Sequence, residues 1–135
     1  MCIFCKIIKK EIPSHTIYED DLVIAILDIS QVTKGHTLII PKQHYSHFLD
    51  CDDAILSHVM NVAKYLGNHL LRTTHALGMN ILSNVHETAG QTIPHFHLHL
   101  IPRYSEQDSI KISFHPSDEQ DLAALSSILT IKNLK

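Results

Sequence analysis

The chain has 135 residues and a formal net charge of −3, with 11 basic against 14 acidic side chains. This length suits one domain that buries its core without disulfides, and the charge excludes a basic surface for a nucleic-acid backbone. The sequence shows neither a stretch of about 18 apolar residues nor a secretion signal. We therefore expect a soluble, cytoplasmic protein that binds small ligands, without nucleic-acid or membrane partners.

The first half of the chain predicts a short helix followed by strands. The helix covers Ile3–Lys10 and is broken at residues 12–14, where proline occurs. Short runs rich in apolar and β-branched residues then predict three strands, at Thr16–Tyr18, Leu22–Leu27 and His36–Ile40. The third strand follows a turn at residues 34–35 and is stopped by Pro41.

The second half begins with a long amphipathic helix from Asp53 to about Thr74, where apolar residues recur at helical spacing. Asp50 or Asp52 is expected to cap its start, and Gly78 to follow its last turn. Further along we predict a strand at Met79–Ser83, a loop at 84–91, a strand from His95 to Pro102 and a helix from about Asp118 to Leu129. Helices grouped beside strands with short turns indicate an α+β fold with an antiparallel sheet.

Residues 95–101 carry three histidines at alternate positions, with apolar residues between them. In a strand, side chains alternate between faces, so His95, His97 and His99 point one way and the apolar residues point into a core. His95 and His99 then lie about 13 Å apart at their Cα atoms, whereas zinc binds imidazole nitrogen at about 2.0–2.1 Å. One ion cannot readily collect all three, and the pattern favours catalysis or phosphate binding over a metal site.

The loop before this row, from Asn84 to Pro94, predicts the other wall of a site. Gly90 allows the backbone to approach a ligand closely. Gln91 and Thr92 offer hydrogen-bond donors that suit phosphate oxygens or a leaving group. A lone Gly-Gln-Thr is as often only a turn, but here it stands directly before three aligned imidazoles.

Together these segments resemble the histidine triad (HIT) superfamily, in particular its nucleotide-binding phosphoramidase branch of bacterial type. The resemblance runs from Cys2 to about Arg103. It consists of three motifs in the expected order, at Cys2–Ile8 with Glu11–Ser14, at Asp28–Ile29 with Gly35–His44, and at Ala89–Arg103.

The resemblance implies a single HIT domain over residues 1–135, with a core at 2–103 and a helix-containing tail at 104–135. It implies a five-stranded antiparallel sheet with a long central helix and a short N-terminal helix, in a homodimer that joins two such sheets. It also implies binding of purine nucleoside 5′-monophosphates and hydrolysis of a bond to the α-phosphate, commonly a phosphoramidate.

The resemblance implies roles for individual residues. His97 attacks phosphorus and becomes transiently nucleotidylated, a role open to neutral imidazole, and a backbone carbonyl on its other ring nitrogen is expected to fix the tautomer. His36 and His99 line the phosphate site, His95 supports the strand, and Gln91 and Thr92 donate to developing charge. The nucleotide-binding set is Ile3, Phe4, Ile7, Ile12, Ile26, Asp28, Ile29, Asn84, Gly90, Gln91, Thr92 and Ile93, with Asp28 for the ribose hydroxyls. For Ile7 and Ile26 a plain core role has equal weight.

Cys2 and Cys5 form a Cys-x-x-Cys pair, a weak metal signal alone because structural zinc takes four ligands. Relatives with this pair bind zinc through a set that corresponds to Cys2, Cys5, His44 and His95. The resemblance therefore implies structural zinc as a cofactor; the alternative is two ordinary thiols.

The chain departs from the family pattern in its loop and tail. His86 stands where relatives often have glycine, Ile26 where many have an aromatic residue, and the chain has no tryptophan. The same triad would serve a dinucleoside polyphosphate hydrolase, a nucleotidyl transferase or a regulatory module that holds nucleotide without turnover. A cupin-like metalloenzyme with His95 and His97 as ligands is disfavoured, because residues 98–105 lack the glutamate it needs.

Overall fold

A computed structural model describes residues 2–134, so the end residues 1 and 135 of the predicted domain lie outside the described part. The helices are α1 (Ile3–Ile8), α2 (Asp53–Thr74) and α3 (Leu122–Leu129). The strands are β1 (Thr16–Glu19), β2 (Val23–Leu27), β3 (Thr37–Pro41), β4 (Gly78–Leu82) and β5 (Leu98–Arg103). They form one sheet in the order β1-β2-β3-β5-β4, with every neighbouring pair antiparallel, which confirms the α+β prediction.

The sheet separates two apolar clusters, because successive side chains of a strand point to opposite faces. On one face α2 packs against a core of buried residues from β2, β3 and β5 that includes Ala25, Ile39 and Leu98. On the other face α1 contributes Phe4 and Ile7 to a smaller cluster, which contains Ile24, Ile26, Leu38 and Ile40. The molecule is therefore layered as α2, sheet and α1.

The histidine strand starts later than the sequence predicts. Its ladder with β3 begins at the pair Leu98 and Ile39, so His95 and His97 precede the strand. The backbone N–H of Phe96 instead donates to the carbonyl of Tyr45, at 2.7 Å. The alternation of faces holds in spite of this, since the Phe96 side chain is completely buried in the α2 core.

The bounds of α2 agree with the prediction, but its caps do not. Asp52 occupies the position before the helix, yet its side chain makes no capping bond and accepts from the Tyr45 hydroxyl at 3.1 Å. Asp50 is the last residue of a short 3₁₀ turn at Phe48–Asp50, and its side chain accepts from the backbone N–H of His47, the residue that caps this turn. At the far end His75 takes the left-handed conformation with φ of 61°, and Gly78 is already the first residue of β4.

The other two helices are shorter than predicted. α1 ends at Ile8, and the chain turns at Lys10, which has a positive φ of 64°. α3 begins at Leu122, where the side chain of Asp121 accepts from the backbone N–H of Ala124, and none of its residues is buried. Within residues 2–134, no helix combines the length and apolar character that crossing a membrane requires.

Phe96 provides a test of the alternation along the histidine segment. We expect Phe96→Ala to lower the free energy of unfolding by about 3–5 kcal/mol, because it removes a fully buried ring and leaves a cavity. The matched control is Phe114→Ala, whose side chain is 90% exposed. Chemical denaturation of both variants is the measurement, and equal losses of stability would contradict the assignment of faces.

Candidate functional site

The three aligned histidines lie on the α1 side of the sheet. His95 and His97 are buried and His99 is half-buried. The ring of Phe4 stands edge-on to both buried imidazoles, with centroids 5.0 Å from His97 and 5.9 Å from His95. The structure therefore brings the first motif of the chain, on α1, against the third.

The tautomer of His97 is fixed by its neighbours. Its Nδ1 lies 2.7 Å from the carbonyl oxygen of His95, and since a carbonyl only accepts, Nδ1 carries the proton. This is the backbone carbonyl expected from the sequence. The Nε2 atom of neutral His97 therefore holds a free lone pair. Ser83, at the end of β4, donates its hydroxyl to the His97 carbonyl at 2.7 Å and anchors the same segment.

Burial keeps the imidazoles of the site neutral. It lowers the pKa of His97 and of His36, and it lowers the pKa of His99 to about 4. Neighbouring imidazoles act in the same direction on His99, while the carboxylate of Asp28 opposes the shift. At neutral pH these rings are thus uncharged, and a ring nitrogen without a proton is a nucleophile or a ligand.

His36, at the start of β3, reaches His99 on β5 because the two strands are neighbours. Nε2 of His36 lies 2.9 Å from Nδ1 of His99, and Oδ2 of Asp28 lies 3.7 Å from the same Nε2. Nδ1 of His36 accepts from the backbone N–H of Val32 at 3.4 Å, so the ring proton is on Nε2 and is donated to His99.

The turn that carries His36 is held by Gln31. The Gln31 side chain accepts from the backbone N–H groups of Gly35 and His36 and donates to the carbonyls of Asp28 and His36. Gly35 has φ of 94°, and a Cβ there would lie 3.3 Å from Cγ of Pro102. A larger residue would both strain the backbone and crowd β5.

A cavity of about 390 Å³ opens beside this row, under α1. It contains all the predicted apolar contacts and Asp28, and its lining is Ile3, Phe4, Ile7, Ile12, Pro13, Ser14, His15, Ile26, Leu27, Asp28, Ile29, Leu38 and Ile93. Phe4, Ile7 and Ile26 belong to the core as well as to the wall. Ile29 is fully exposed at the rim. The cavity thus has an apolar floor with a carboxylate at one side.

The remaining predicted binding residues do not line this cavity. Asn84 lies against Gly90, where a Cβ would be 3.2 Å from its Nδ2 atom, and Gly90 has φ of 101°. Gln91 and Thr92 border a second cavity of about 390 Å³ together with His47 and His86. The structure therefore divides the predicted nucleotide set between an apolar cavity and a polar loop.

The side chain of Gln91 is hydrogen-bonded within the protein. Its side-chain amide donates to the carbonyls of Ser46 and Ile93, at 2.7 and 3.1 Å, and its Oε1 accepts from the backbone N–H of His86. Both amide hydrogens are thereby used within the protein, so in this geometry Gln91 holds the loop. The exposed hydroxyl of Thr92 stays free to donate to a ligand.

The four predicted metal ligands come together at the start of α1. One donor atom from each of Cys2, Cys5, His44 and His95 lies within 4.8 Å of the others. Sγ of Cys2 is 3.3 Å from Nδ1 of His95, and Sγ of Cys5 is 3.4 Å from Nδ1 of His44 and 3.6 Å from Nδ1 of His95.

Sequence reasoning missed several residues that shape the site. Ser83 and Gln31 hold the backbone of His97 and the turn of His36, and neither stands in a motif. Leu38, Ser14 and His15 also line the apolar cavity. Ser14 and Leu38 could have been found from their position, because they belong to the motif segments. The contacts of Ser83 could not be predicted without the sheet register.

Comparisons with known proteins agree with this arrangement. The HIT domain family pattern matches residues 9–106. Protein hit of Bacillus subtilis is 42% identical over 130 residues, which cover 93% of this chain and 90% of the relative. Adenosine 5'-monophosphoramidase HNT1 of Saccharomyces cerevisiae is 39% identical over 127 residues, 94% of this chain and 77% of the relative. A crystal structure of a HIT family protein from Bacillus anthracis superposes with a TM-score of 0.88 at 45% identity, over 94% of this chain and 91% of that one.

Proposed function

The chain belongs to the HIT domain family, and on this basis we propose that it is a nucleotide-binding hydrolase that cleaves purine nucleoside 5′-phosphoramidates at the α-phosphate. The observation that carries the proposal is the fixed tautomer of His97. Its Nδ1–H is bound to the His95 carbonyl, which leaves a lone pair on Nε2 in a buried, uncharged ring. Such a nitrogen is suited to attack phosphorus.

In the proposed complex the nucleoside occupies the apolar cavity under α1. A purine is flat and largely apolar, and the cavity wall of isoleucines and Phe4 offers it dispersion contacts and shelter from water. Asp28 at the side of the cavity accepts from the two ribose hydroxyls, since a carboxylate has two acceptor oxygens. The phosphate then lies toward His36, His97 and His99.

In the first proposed step, Nε2 of His97 attacks the α-phosphorus. The Nε2–P bond forms as the P–N bond to the amine breaks, and the amine takes a proton from solvent as it leaves. The ring of His97 becomes cationic, and the His95 carbonyl stabilises this charge through the bond to Nδ1–H. His99, whose Nδ1 accepts from His36, keeps its proton on Nε2 and donates to a phosphate oxygen.

In the second step, water attacks phosphorus and loses a proton to solvent, the Nε2–P bond breaks, and the nucleoside monophosphate is released. The hydroxyl of Thr92 is proposed to donate to an oxygen that gains charge, while Gln91 maintains the loop. Neutral His97 returns to the tautomer from which it started.

Two other activities would use the same side chains. A dinucleoside polyphosphate hydrolase and a nucleotidyl transferase differ in the leaving group or in the acceptor, and a regulatory module would only hold the nucleotide. The phosphoramidase is preferred because a relative that aligns with 94% of this chain is named as an adenosine 5'-monophosphoramidase.

We also propose a structural zinc ion at Cys2, Cys5, His44 and His95. In a tetrahedral site, with bonds of about 2.3 Å to sulfur and 2.0–2.1 Å to nitrogen, neighbouring donors lie about 3.5 Å apart. The three sulfur–nitrogen distances of 3.3, 3.4 and 3.6 Å match this separation between donors. Nε2 of His95 donates to the carbonyl of Pro41 at 2.9 Å, so Nδ1 is the free ligand atom. The ion would tie α1 to the segment that carries His97.

A homodimer is our third proposal, with β4 as the contact edge. β1 and β4 are the two edge strands of the sheet. The β1 edge is guarded by ion pairs of Glu19 with Lys10 and Lys42, which disfavour strand pairing with another chain. At the other edge Leu77 and Ile81 are 87% and 56% exposed. Pairing there buries apolar surface and satisfies the free backbone groups of β4.

The proposed nucleophile is tested by His97→Asn. We expect AMP affinity within about threefold of the natural protein, since Asp28 and the cavity bind equally in ground and transition states, and a loss of turnover by orders of magnitude. Hydrolysis of an adenosine phosphoramidate and mass spectrometry of the quenched enzyme are the measurements. The control is His115→Asn, in the exposed tail. Retained turnover, or a nucleotidyl group on another residue, would refute the assignment.

The zinc proposal is tested by Cys5→Ser. Metal binding stabilises the folded chain, so this variant should lack zinc in elemental analysis and melt at a lower temperature. Cys51→Ser is the matched control, because Cys51 is a buried cysteine outside the cluster and its loss should leave the zinc content unchanged. Zinc-free natural protein of full stability would rule the site out.

The dimer is tested by light scattering. The natural protein should show twice the 15.3 kDa of one chain. Ile81→Lys places a charge on the proposed edge and should shift the protein toward the monomer, whereas Ile17→Lys on β1 should leave the dimer intact. A monomeric natural protein at micromolar concentration, or a dimer lost only with Ile17→Lys, would overturn the choice of edge.

A further inference from the structure

We propose that Asp28, His36 and His99 form a second metal site, which binds one divalent transition-metal ion at the mouth of the nucleotide cavity. One donor atom from each of the three side chains lies within 4.8 Å of the other two. None of the three belongs to the cysteine cluster at α1. The site brings together the loop after β2, the residue before β3 and the start of β5, so it exists only in the folded chain.

The distances between the three donor atoms are close to those around a common ion. Nε2 of His36 and Nδ1 of His99 are 2.9 Å apart, and Oδ2 of Asp28 is 3.7 Å from the former. Donors that bind one ion at about 2.0–2.2 Å are separated by about 3–3.5 Å. Small rotations of the His99 and Asp28 side chains are therefore enough to bring the three atoms around a centre.

The protonation of the pair of histidines permits metal binding without release of a proton. In the free protein His36 carries its proton on Nε2 and donates it to His99. When an ion takes Nε2, that proton moves to Nδ1 of the same ring, and the cost is the weak bond from the Val32 N–H at 3.4 Å. His99 already presents an unprotonated Nδ1, and Asp28 supplies the negative charge.

The donor set defines the class of ion. Two imidazoles and one carboxylate suit Zn²⁺, Co²⁺, Ni²⁺ or Fe²⁺, whereas Mg²⁺ and Ca²⁺ prefer oxygen ligands. Three protein ligands leave at least one coordination position open. The side chain of His36 is 5% exposed and that of Asp28 is 21% exposed, so an ion enters past Asp28 and its open position faces the cavity side.

This inference rests on the proposed function for its consequence. The three ligands are the groups that would contact ribose and phosphate, so an ion bound to them withholds them from the nucleotide. His97 is not a ligand, and its Nε2 keeps its lone pair. A transition-metal ion therefore inhibits by excluding the substrate, raising KM without changing kcat.

The test is a Co²⁺ titration of the protein with its cysteine site loaded with zinc, followed by equilibrium dialysis and visible absorption. We expect saturable binding of Co²⁺ without a thiolate-to-cobalt charge-transfer band. Asp28→Asn and His99→Asn should each weaken it about tenfold or more, since even a lost second-shell partner costs about 10- to 100-fold. The amide oxygen of the Asp28→Asn variant can still accept from the Ser30 N–H, as Oδ1 of Asp28 does, so the loop stays folded. His69→Asn, on the exposed surface of α2, is the matched control.

AMP supplies the second arm of the test. Saturating AMP should raise the Co²⁺ concentration for half-saturation, and Co²⁺ should weaken AMP binding by the same factor. If Co²⁺ binds through Asp28 and His99 but AMP does not bind at all, the proposed function fails and the metal site stands. Absence of Co²⁺ binding, bound Co²⁺ that shows only the thiolate band, or unchanged affinity in both variants would overturn the site.

Discussion

The hydrogen bond from Nε2 of His95 to the carbonyl of Pro41 organises the whole site. His95 has no exposed surface, so an unpaired ring nitrogen there would be costly. The bond links the last residue of β3 to the segment before β5 and turns Nδ1 toward Cys2 and Cys5. The backbone carbonyl of His95 also accepts from Nδ1–H of His97. One buried residue thus sets the join between strands, the contact with α1 and the tautomer of its neighbour.

Much of this could be predicted from the sequence, because the strongest signals were periodic. The alternation along residues 95–101 predicted which side chains face α2, and the spacing of Val59, Ala63 and Leu66 predicted a helix with the correct bounds. These patterns depend only on backbone geometry that neighbours in the chain share. The predicted start of β5 at His95 was wrong, because the hydrogen bonds to β3, and not the side-chain pattern, define where the strand begins.

Contacts between segments that are distant in the chain could not be predicted from the sequence. The bond between His36 and His99 depends on the register that places Leu38 opposite His99. Gln91 holds its loop through Ser46, which lies 45 positions earlier. His58 illustrates the same limit, since nothing near it indicated that Nε2 would lie 2.7 Å from Oδ2 of Asp20. Local chemistry could be inferred, but the pairing of elements was needed to find these partners.

The sheet separates the two apolar clusters, so substitutions on its two faces have different effects during evolution. Substitutions in the α2 core alter packing away from the proposed nucleotide cavity, while those among Ile7, Ile26 and Leu38 reshape that cavity and the smaller cluster together. Evolution can therefore change stability through the α2 core and ligand preference through the cluster on the α1 side. Diversity within such a family should accordingly be distributed separately over the two faces.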